Sequence, residues 1–84
     1  MRFRFTNHAK KKFILIRRVG FKVSLKQVKQ CVISPLKIEE YPDGTYIATT
    51  LLDKSHVLRV VYRKENDIMV IITFHPGRRK RYEV

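Results

Sequence analysis

The chain has little cysteine and no clustered histidine. Among its 84 residues are one cysteine, Cys31, and three histidines far apart in sequence, His8, His56 and His75. One cysteine excludes an internal disulfide, and neither residue type has the spacing of metal ligands. We therefore expect neither a metal ion nor any other cofactor.

Long hydrophobic stretches are also missing. The longest apolar run, residues 68–74, is far shorter than the ~20 residues that span a bilayer. The N-terminus alternates Arg2-Phe3-Arg4-Phe5 where a signal peptide would be continuously apolar. No repeat, linker or low-complexity segment divides the chain. We therefore expect one domain over residues 1–84, in the cytoplasm and away from membranes.

Acidic residues are absent from the first 35 positions, which carry ten lysines and arginines. Residues 36–75 are nearly balanced, with five basic and six acidic side chains, and residues 76–84 hold four basic and one acidic. The net charge of +12 exceeds what solubility requires. It favours an anionic partner, nucleic acid first, and it opposes self-association, so we expect a monomer. The two basic blocks are able to form one cationic surface.

The first half of the chain has helical signals. The alternation over residues 2–5 predicts a short strand, after which Thr6 or Asn7 can cap a helix that Gly20 ends. Ser24 can cap a second helix that Pro35 prevents from continuing. The apolar face of the first helix is predicted to hold Ala9, Phe13, Leu15, Ile16 and Val19, and that of the second Leu25, Val28, Cys31 and Val32.

The second half alternates as β-strands do. Strands are predicted over residues 38–41, 46–52, 56–63 and 68–75, with turns at Pro42-Asp43-Gly44 and Lys64-Glu65-Asn66-Asp67. The order β-αα-ββββ predicts an α+β domain in which a two-helix hairpin covers one face of an antiparallel sheet. If the residues facing the helices are Leu58, Val60, Tyr62, Ile72 and Phe74, the opposite face carries Arg59, Arg63, Thr73 and His75.

Several segments together resemble the RelE/ParE toxin superfamily, and within it the BrnT-like proteins and related short proteins. They are Phe5-Thr6-Asn7-His8-Ala9, Arg17-Arg18-Val19-Gly20-Phe21, Ser24-Leu25-Lys26-Gln27-Val28, Leu58-Arg59-Val60-Val61-Tyr62, and the last strand with its basic, tyrosine-containing end. The resemblance implies a RelE-like fold and an endoribonuclease that cuts messenger RNA, often within the ribosome. It also implies an acidic antitoxin as partner.

The resemblance also implies functional residues. The strand arginine of the family falls at Arg59, the arginine after the last strand at Arg78 or Arg79, and the terminal tyrosine at Tyr82. Some members use a histidine near the last strand, which His75 matches. The lysine pair of the ribosome-dependent members has no counterpart beyond Lys54, and no glutamate stands out as a general base.

The chemistry of these side chains agrees with such a role. Arginine binds phosphate oxygens bidentately and keeps its charge, which suits Arg59 and Arg79 to stabilising a phosphorane-like transition state. His75 can exchange protons near neutral pH, and Tyr82 can stack on a base or move a proton. We therefore predict Arg59, His75, Arg79 and Tyr82 as catalytic residues. Contacts to RNA are predicted for Lys10, Lys11, Arg17, Arg18, Arg63, Arg78, Lys80 and Arg81.

The sequence leaves other functions open. One alternative is a non-catalytic module that binds nucleic acid or protein with the same cationic surface. Another is a ParE-like inhibitor of DNA gyrase, because one fold tolerates several functions.

Overall fold

A computed structural model describes residues 1–82 and 84. Its elements are β1 (Arg2–Phe5), α1 (Asn7–Arg18), α2 (Leu25–Ile33), β2 (Lys37–Glu40), β3 (Thr45–Leu51), β4 (His56–Glu65), β5 (Ile68–Arg78) and α3 (Arg79–Tyr82). The α+β class is confirmed. The predicted element order is incomplete, because the basic C-terminal run forms the short helix α3.

Both long helices begin where their capping residues predict. The Thr6 hydroxyl accepts a hydrogen bond from the Ala9 amide at 3.1 Å, which satisfies a free donor in the first turn of α1. Ser24 and Gln27 form a reciprocal capping box at the start of α2. Gly20 follows α1 with φ of +95°, a conformation that glycine adopts without steric cost.

The sheet has the strand order β1-β5-β4-β3-β2 and is mixed. β2 to β5 pair antiparallel, but β1 lies parallel to β5, with Arg2 opposite Ile68 and Phe5 opposite Ile71. The prediction of a wholly antiparallel sheet was therefore wrong for β1. The connection between β1 and β5 contains both long helices and strands β2 to β4, so it is long enough for the two strands to pair parallel, whereas a hairpin turn is not.

The core lies between the sheet and the two long helices. α1 packs on β5, and α2 packs on β3 and β4. The buried cluster contains Ala9, Ile16, Val23, Val28, Cys31, Val32, Ala48, Leu58, Val60, Tyr62, Ile71 and Phe74. The apolar faces of the helices are narrower than predicted, because Leu15, Val19 and Leu25 are exposed.

A β-bulge changes the alternation in β5. Val61 pairs with Thr73 and Tyr62 with Ile71, which leaves Ile72 without a partner. Ile71 and Phe74 therefore face the helices together, and the prediction that Ile72 does so was wrong. The bulge lies where the Thr6 amide and hydroxyl donate to the carbonyl oxygens of Ile71 and Ile72, at 3.1 and 2.9 Å. The chain thus leaves β1 for α1 at this point.

The hairpin between β4 and β5 is tighter than predicted. Glu65 pairs with Ile68, so the connection contains two residues, Asn66 and Asp67, where four were expected. Asn66 has φ of +57°, as two-residue hairpin turns require. Among the residues that the structure describes, no helix is long and apolar enough to cross a membrane.

Candidate functional site

The sheet face opposite α1 and α2, called here the open face, carries a polar row across four strands. Lys37 of β2 lies opposite Thr49 of β3, Thr49 opposite Arg59 of β4, and Arg59 opposite His75 of β5. Directly paired residues point to the same side of a sheet. At ~4.8 Å between strands, the row spans about 14 Å. Arg59, Thr73 and His75 thus lie on the predicted face.

Arg59 is the central cation of this row. Its side chain retains 13 % exposure, and its guanidinium donates to a carboxylate oxygen of Glu39 at 2.7 Å. A weaker contact of 3.5 Å joins its Nε to the Thr49 hydroxyl. A cation this deeply placed needs an anionic partner because burial removes its hydration. Glu39 supplies that charge from β2, two strands away.

Helix α3 brings Tyr82 back over the open face. The Tyr82 ring centroid lies 4.3 Å from the guanidinium carbon of Arg59, within cation–π distance. Gly77 makes this approach possible, because a Cβ atom there would stand 2.6 Å from a ring carbon of Tyr82. The predicted residues Arg59, His75 and Tyr82 are therefore brought together.

His75 is half-buried beside this cation. Burial of the imidazole, and then the charges of Arg59 and Lys12, lower the pKa of His75 below its usual value. The neutral ring that results can accept a proton. Lys12 was not among the predicted site residues. The sequence does not distinguish Lys12 from its neighbours, because it is one of three consecutive lysines.

Glu39 is a second residue that the sequence analysis did not assign to the site. A hydrogen bond from the Tyr41 hydroxyl, and then the charge of Arg59, hold the pKa of Glu39 below its ordinary value. The carboxylate therefore stays ionised at neutral pH. Glu39 and Thr49 alternate onto the open face from adjacent strands, but only the pairing of β2 with β3 reveals this.

Arg79 does not lie with the other predicted catalytic residues. Its amide donates to the Ser55 carbonyl oxygen at 2.8 Å, and its Nε donates to the main-chain oxygen of Val84. Arg78 pairs with His56 at the start of β4. Both arginines thus line the end of the sheet, next to the turn between β3 and β4.

The residues predicted to contact RNA occupy several surfaces. Lys10, Lys11, Arg17 and Arg18 are exposed on α1, on the other side of the sheet from Arg59. Lys80 and Arg81 are exposed on α3. Arg63 lies on the open face, where Glu65 binds it at 2.7 Å and also binds Arg4 at 3.1 Å. The cations of the two basic blocks thus do not all meet on one face.

The open face combines a fixed cation, a neutral imidazole, a phenol and a carboxylate. These groups can bind one phosphate and move protons around it. Within residues 1–82 and 84, no group of three His, Cys, Asp or Glu side chains is placed to hold a metal ion. No protein-family model, curated protein or solved structure matches the chain.

Proposed function

We propose that the chain is a RelE-like toxin of a type II toxin–antitoxin system, an endoribonuclease that cleaves RNA on the open face without a metal ion. The observation that carries the proposal is the meeting of three side chains: Arg59 lies opposite His75 in the sheet and beneath the Tyr82 ring. Phosphodiester transfer needs a cation that binds the phosphate, with a proton acceptor and a proton donor near it.

The proposed reaction begins at the ribose 2′-hydroxyl. Neutral His75 takes its proton, and the 2′-oxygen attacks the adjacent phosphorus. Arg59 binds the non-bridging oxygens as negative charge develops there. The bond to the 5′-oxygen breaks as the Tyr82 hydroxyl donates a proton to it, and His75 returns its proton to Tyr82 through water. The products are a 2′,3′-cyclic phosphate and a 5′-hydroxyl.

Substrate must compete with Glu39 for the guanidinium. The carboxylate holds Arg59 in place while the site is empty, and a phosphate then takes over part of its hydrogen bonding. Glu39 is thus a positioning residue in the proposed mechanism. The Tyr82 ring stays over the guanidinium and limits access of water to it.

The acidic antitoxin is part of the same proposal. Ile14 and Leu15 are exposed on α1, at 57 and 48 %. Lys11 and Arg18, which are also exposed, lie three to four residues from them, on the same side of the helix. An acidic amphipathic segment would bury these apolar groups and neutralise the adjacent charges. RNA would compete poorly with such a partner for the cations of α1.

The 2.7 Å ion pair between Arg59 and Glu39 favours a second candidate function. If phosphate does not displace Glu39, the polar row only stabilises the sheet, and the chain is a non-catalytic RNA-binding module. Binding would then persist with a steep salt dependence while the RNA stays intact.

Inducible expression in bacteria tests the proposal. Wild type is expected to arrest growth and to produce messenger RNA fragments that primer extension detects, and Arg59→Ala to do neither. Lys26→Ala, which removes an exposed cation from α2, is the matched control and should behave as wild type. Growth without RNA fragments would overturn the catalytic claim. Arrest accompanied by DNA damage signalling would indicate the ParE-like alternative.

A further inference from the structure

A second cationic site lies at the end of the sheet. A cavity of about 640 Å³ opens there, lined by Lys54, Ser55, His56, Arg78, Arg79, Lys80 and Val84. This volume is in the range of small-ligand sites and is sufficient for a nucleotide unit. The reaction proposed for the open face does not use these residues.

Backbone contacts hold the walls of the cavity together. The Arg79 amide donates to the Ser55 carbonyl oxygen at 2.8 Å, which joins the start of α3 to the turn between β3 and β4. Arg78 is in register with His56 across β4 and β5. The amide of Asp53 donates to the His56 carbonyl oxygen at 3.2 Å, which closes the same turn. The pairing of β4 with β5 and the turn between β3 and β4 therefore fix the backbone positions of these cations relative to one another.

The charge balance of the cavity favours an anion. Four cationic side chains line it, and the neighbouring carboxylate, Asp53, is engaged by the His56 ring at 2.9 Å. Four like charges at one site repel each other, and a bound anion relieves that repulsion. The Nε of Arg79 already binds an oxygen, the main-chain oxygen of Val84. The guanidinium is thus oriented toward an acceptor at the cavity wall.

The donor set matches a phosphate group. Arginine supplies a planar fork, lysine a mobile ammonium group, and Ser55 a hydroxyl. The His56 ring packs edge-on against Phe21, with centroids 5.0 Å apart, and its side chain keeps 33 % exposure. This ring is held in place and can stack on a base that enters with its phosphate.

We propose that this cavity binds a second phosphate of the RNA strand, next to the segment bound at Arg59. This inference rests on the proposed function of the open face. The two sites share β4: His56 and Arg59 are three residues apart, about 10 Å along the strand, and this odd spacing turns their side chains to opposite faces of the sheet. Helix α3 joins them, with Arg79 and Lys80 in the cavity and Tyr82 on Arg59. An RNA strand bound at both sites would therefore follow α3 around the end of the sheet.

The test compares a double substitution in the cavity, Lys54→Gln with Lys80→Gln, with a matched control on exposed lysines, Lys22→Gln with Lys26→Gln. Binding of a 2′-O-methyl oligoribonucleotide, which cannot be cleaved, is measured by fluorescence anisotropy over a range of salt. The cavity variant is expected to lose about tenfold or more in affinity and to lower the salt slope by about one, because one phosphate contact is lost. The control should lose less than about threefold. Equal losses in both variants would overturn the inference.

Amide NMR shifts at Ser55 and His56 identify the source of the phosphate. The oligoribonucleotide should shift them at much lower concentration than inorganic phosphate or adenosine monophosphate does. If the free nucleotide binds as tightly as the strand, the cavity is a small-ligand site and the inference fails.

The inference and the proposed function fail separately. Arg59→Ala should abolish cleavage, and the cavity variant should raise KM with little change in kcat. Cleavage with an unchanged KM in the cavity variant would refute the second phosphate site alone. If wild type does not cleave RNA, while the cavity variant loses affinity and the control variant does not, the proposed reaction alone is refuted.

Discussion

The ring of Tyr82 covers the guanidinium of Arg59, with 4.3 Å between the ring centroid and the guanidinium carbon. One residue belongs to the middle of β4 and the other to the last turn of α3. The contact forms because α3 folds back over Gly77, whose missing side chain leaves room for the ring. The position of the Tyr82 ring over Arg59 thus depends on a glycine in the last strand.

Gly77→Ala should therefore act like a substitution of Tyr82. A methyl group 2.6 Å from the ring would displace Tyr82 from Arg59, and we expect a fall in kcat. The free energy of unfolding should change by less than about 1 kcal/mol, because alanine is tolerated at least as well as glycine in a strand. RNA cleavage and urea unfolding measure the two effects.

A double-mutant cycle checks this cause. In a Tyr82→Ala background, Gly77→Ala should have no further effect on cleavage, because the displaced ring is already gone. Additive losses would mean that Gly77 acts through the backbone of β5.

Glu39→Gln distinguishes a positioning role from a catalytic one. Removal of the carboxylate frees Arg59, so the affinity for uncleavable RNA should rise and the salt slope should increase by about one. The same change should cost on the order of 1 kcal/mol of stability, because a partly buried cation loses its partner. Anisotropy and urea unfolding report these values. A large drop in kcat with unchanged affinity would instead make Glu39 the general base.

His75 should make stability depend on pH in a defined direction. Its pKa is lowered in the folded chain, so below about pH 6.5 the unfolded chain binds a proton that the folded chain does not. The free energy of unfolding is therefore expected to decrease as the pH falls below about 6.5. The decrease should level off once the pH is below the pKa of His75 in the folded chain. Urea unfolding between pH 5 and 8 measures the effect, and His75→Gln should remove it. An increase in stability on acidification would contradict this assignment.

The thiol of Cys31 should be unreactive in the folded protein. Burial raises its pKa to about 12, and the sulfur donates to the Ala48 carbonyl oxygen at 3.3 Å. Only the thiolate reacts readily, so iodoacetamide should label Cys31 at the rate of global unfolding. Rapid labelling without denaturant would show that α2 opens from the sheet on its own.

Local signals predicted local structure well. The capping hydroxyls of Thr6 and Ser24 correctly predicted where α1 and α2 begin, and Gly20 correctly predicted where α1 ends. Each of these residues acts on backbone groups within one helical turn. Alternation placed Arg59 and His75 on one face for the same reason. Long-range pairing was not predictable in this way. The position of β1 beside β5 and the bulge at Ile72 depend on contacts between strands that are far apart in sequence. Alternation within one strand does not encode such contacts.

The candidate site shows the same difference between local features, which the sequence predicts, and long-range contacts, which it does not. Arg59, His75 and Tyr82 were predicted together, but Glu39 and Lys12 were missed, because their proximity depends on the neighbours of β2 and on the packing of α1 against β5. Arg79 was placed with the catalytic residues from its position after the last strand. The actual strand continues to Arg78, which moves Arg79 to the end of the sheet.

The most direct test of the account is cleavage of a 5′-labelled messenger RNA in a ribosome-containing translation extract, with wild type and Arg59→Ala compared at equal concentration. The account predicts fragments ending in a 2′,3′-cyclic phosphate with wild type, and a loss of at least about a hundredfold in rate with Arg59→Ala. Intact RNA with wild type, or equal cleavage by both proteins, would contradict it.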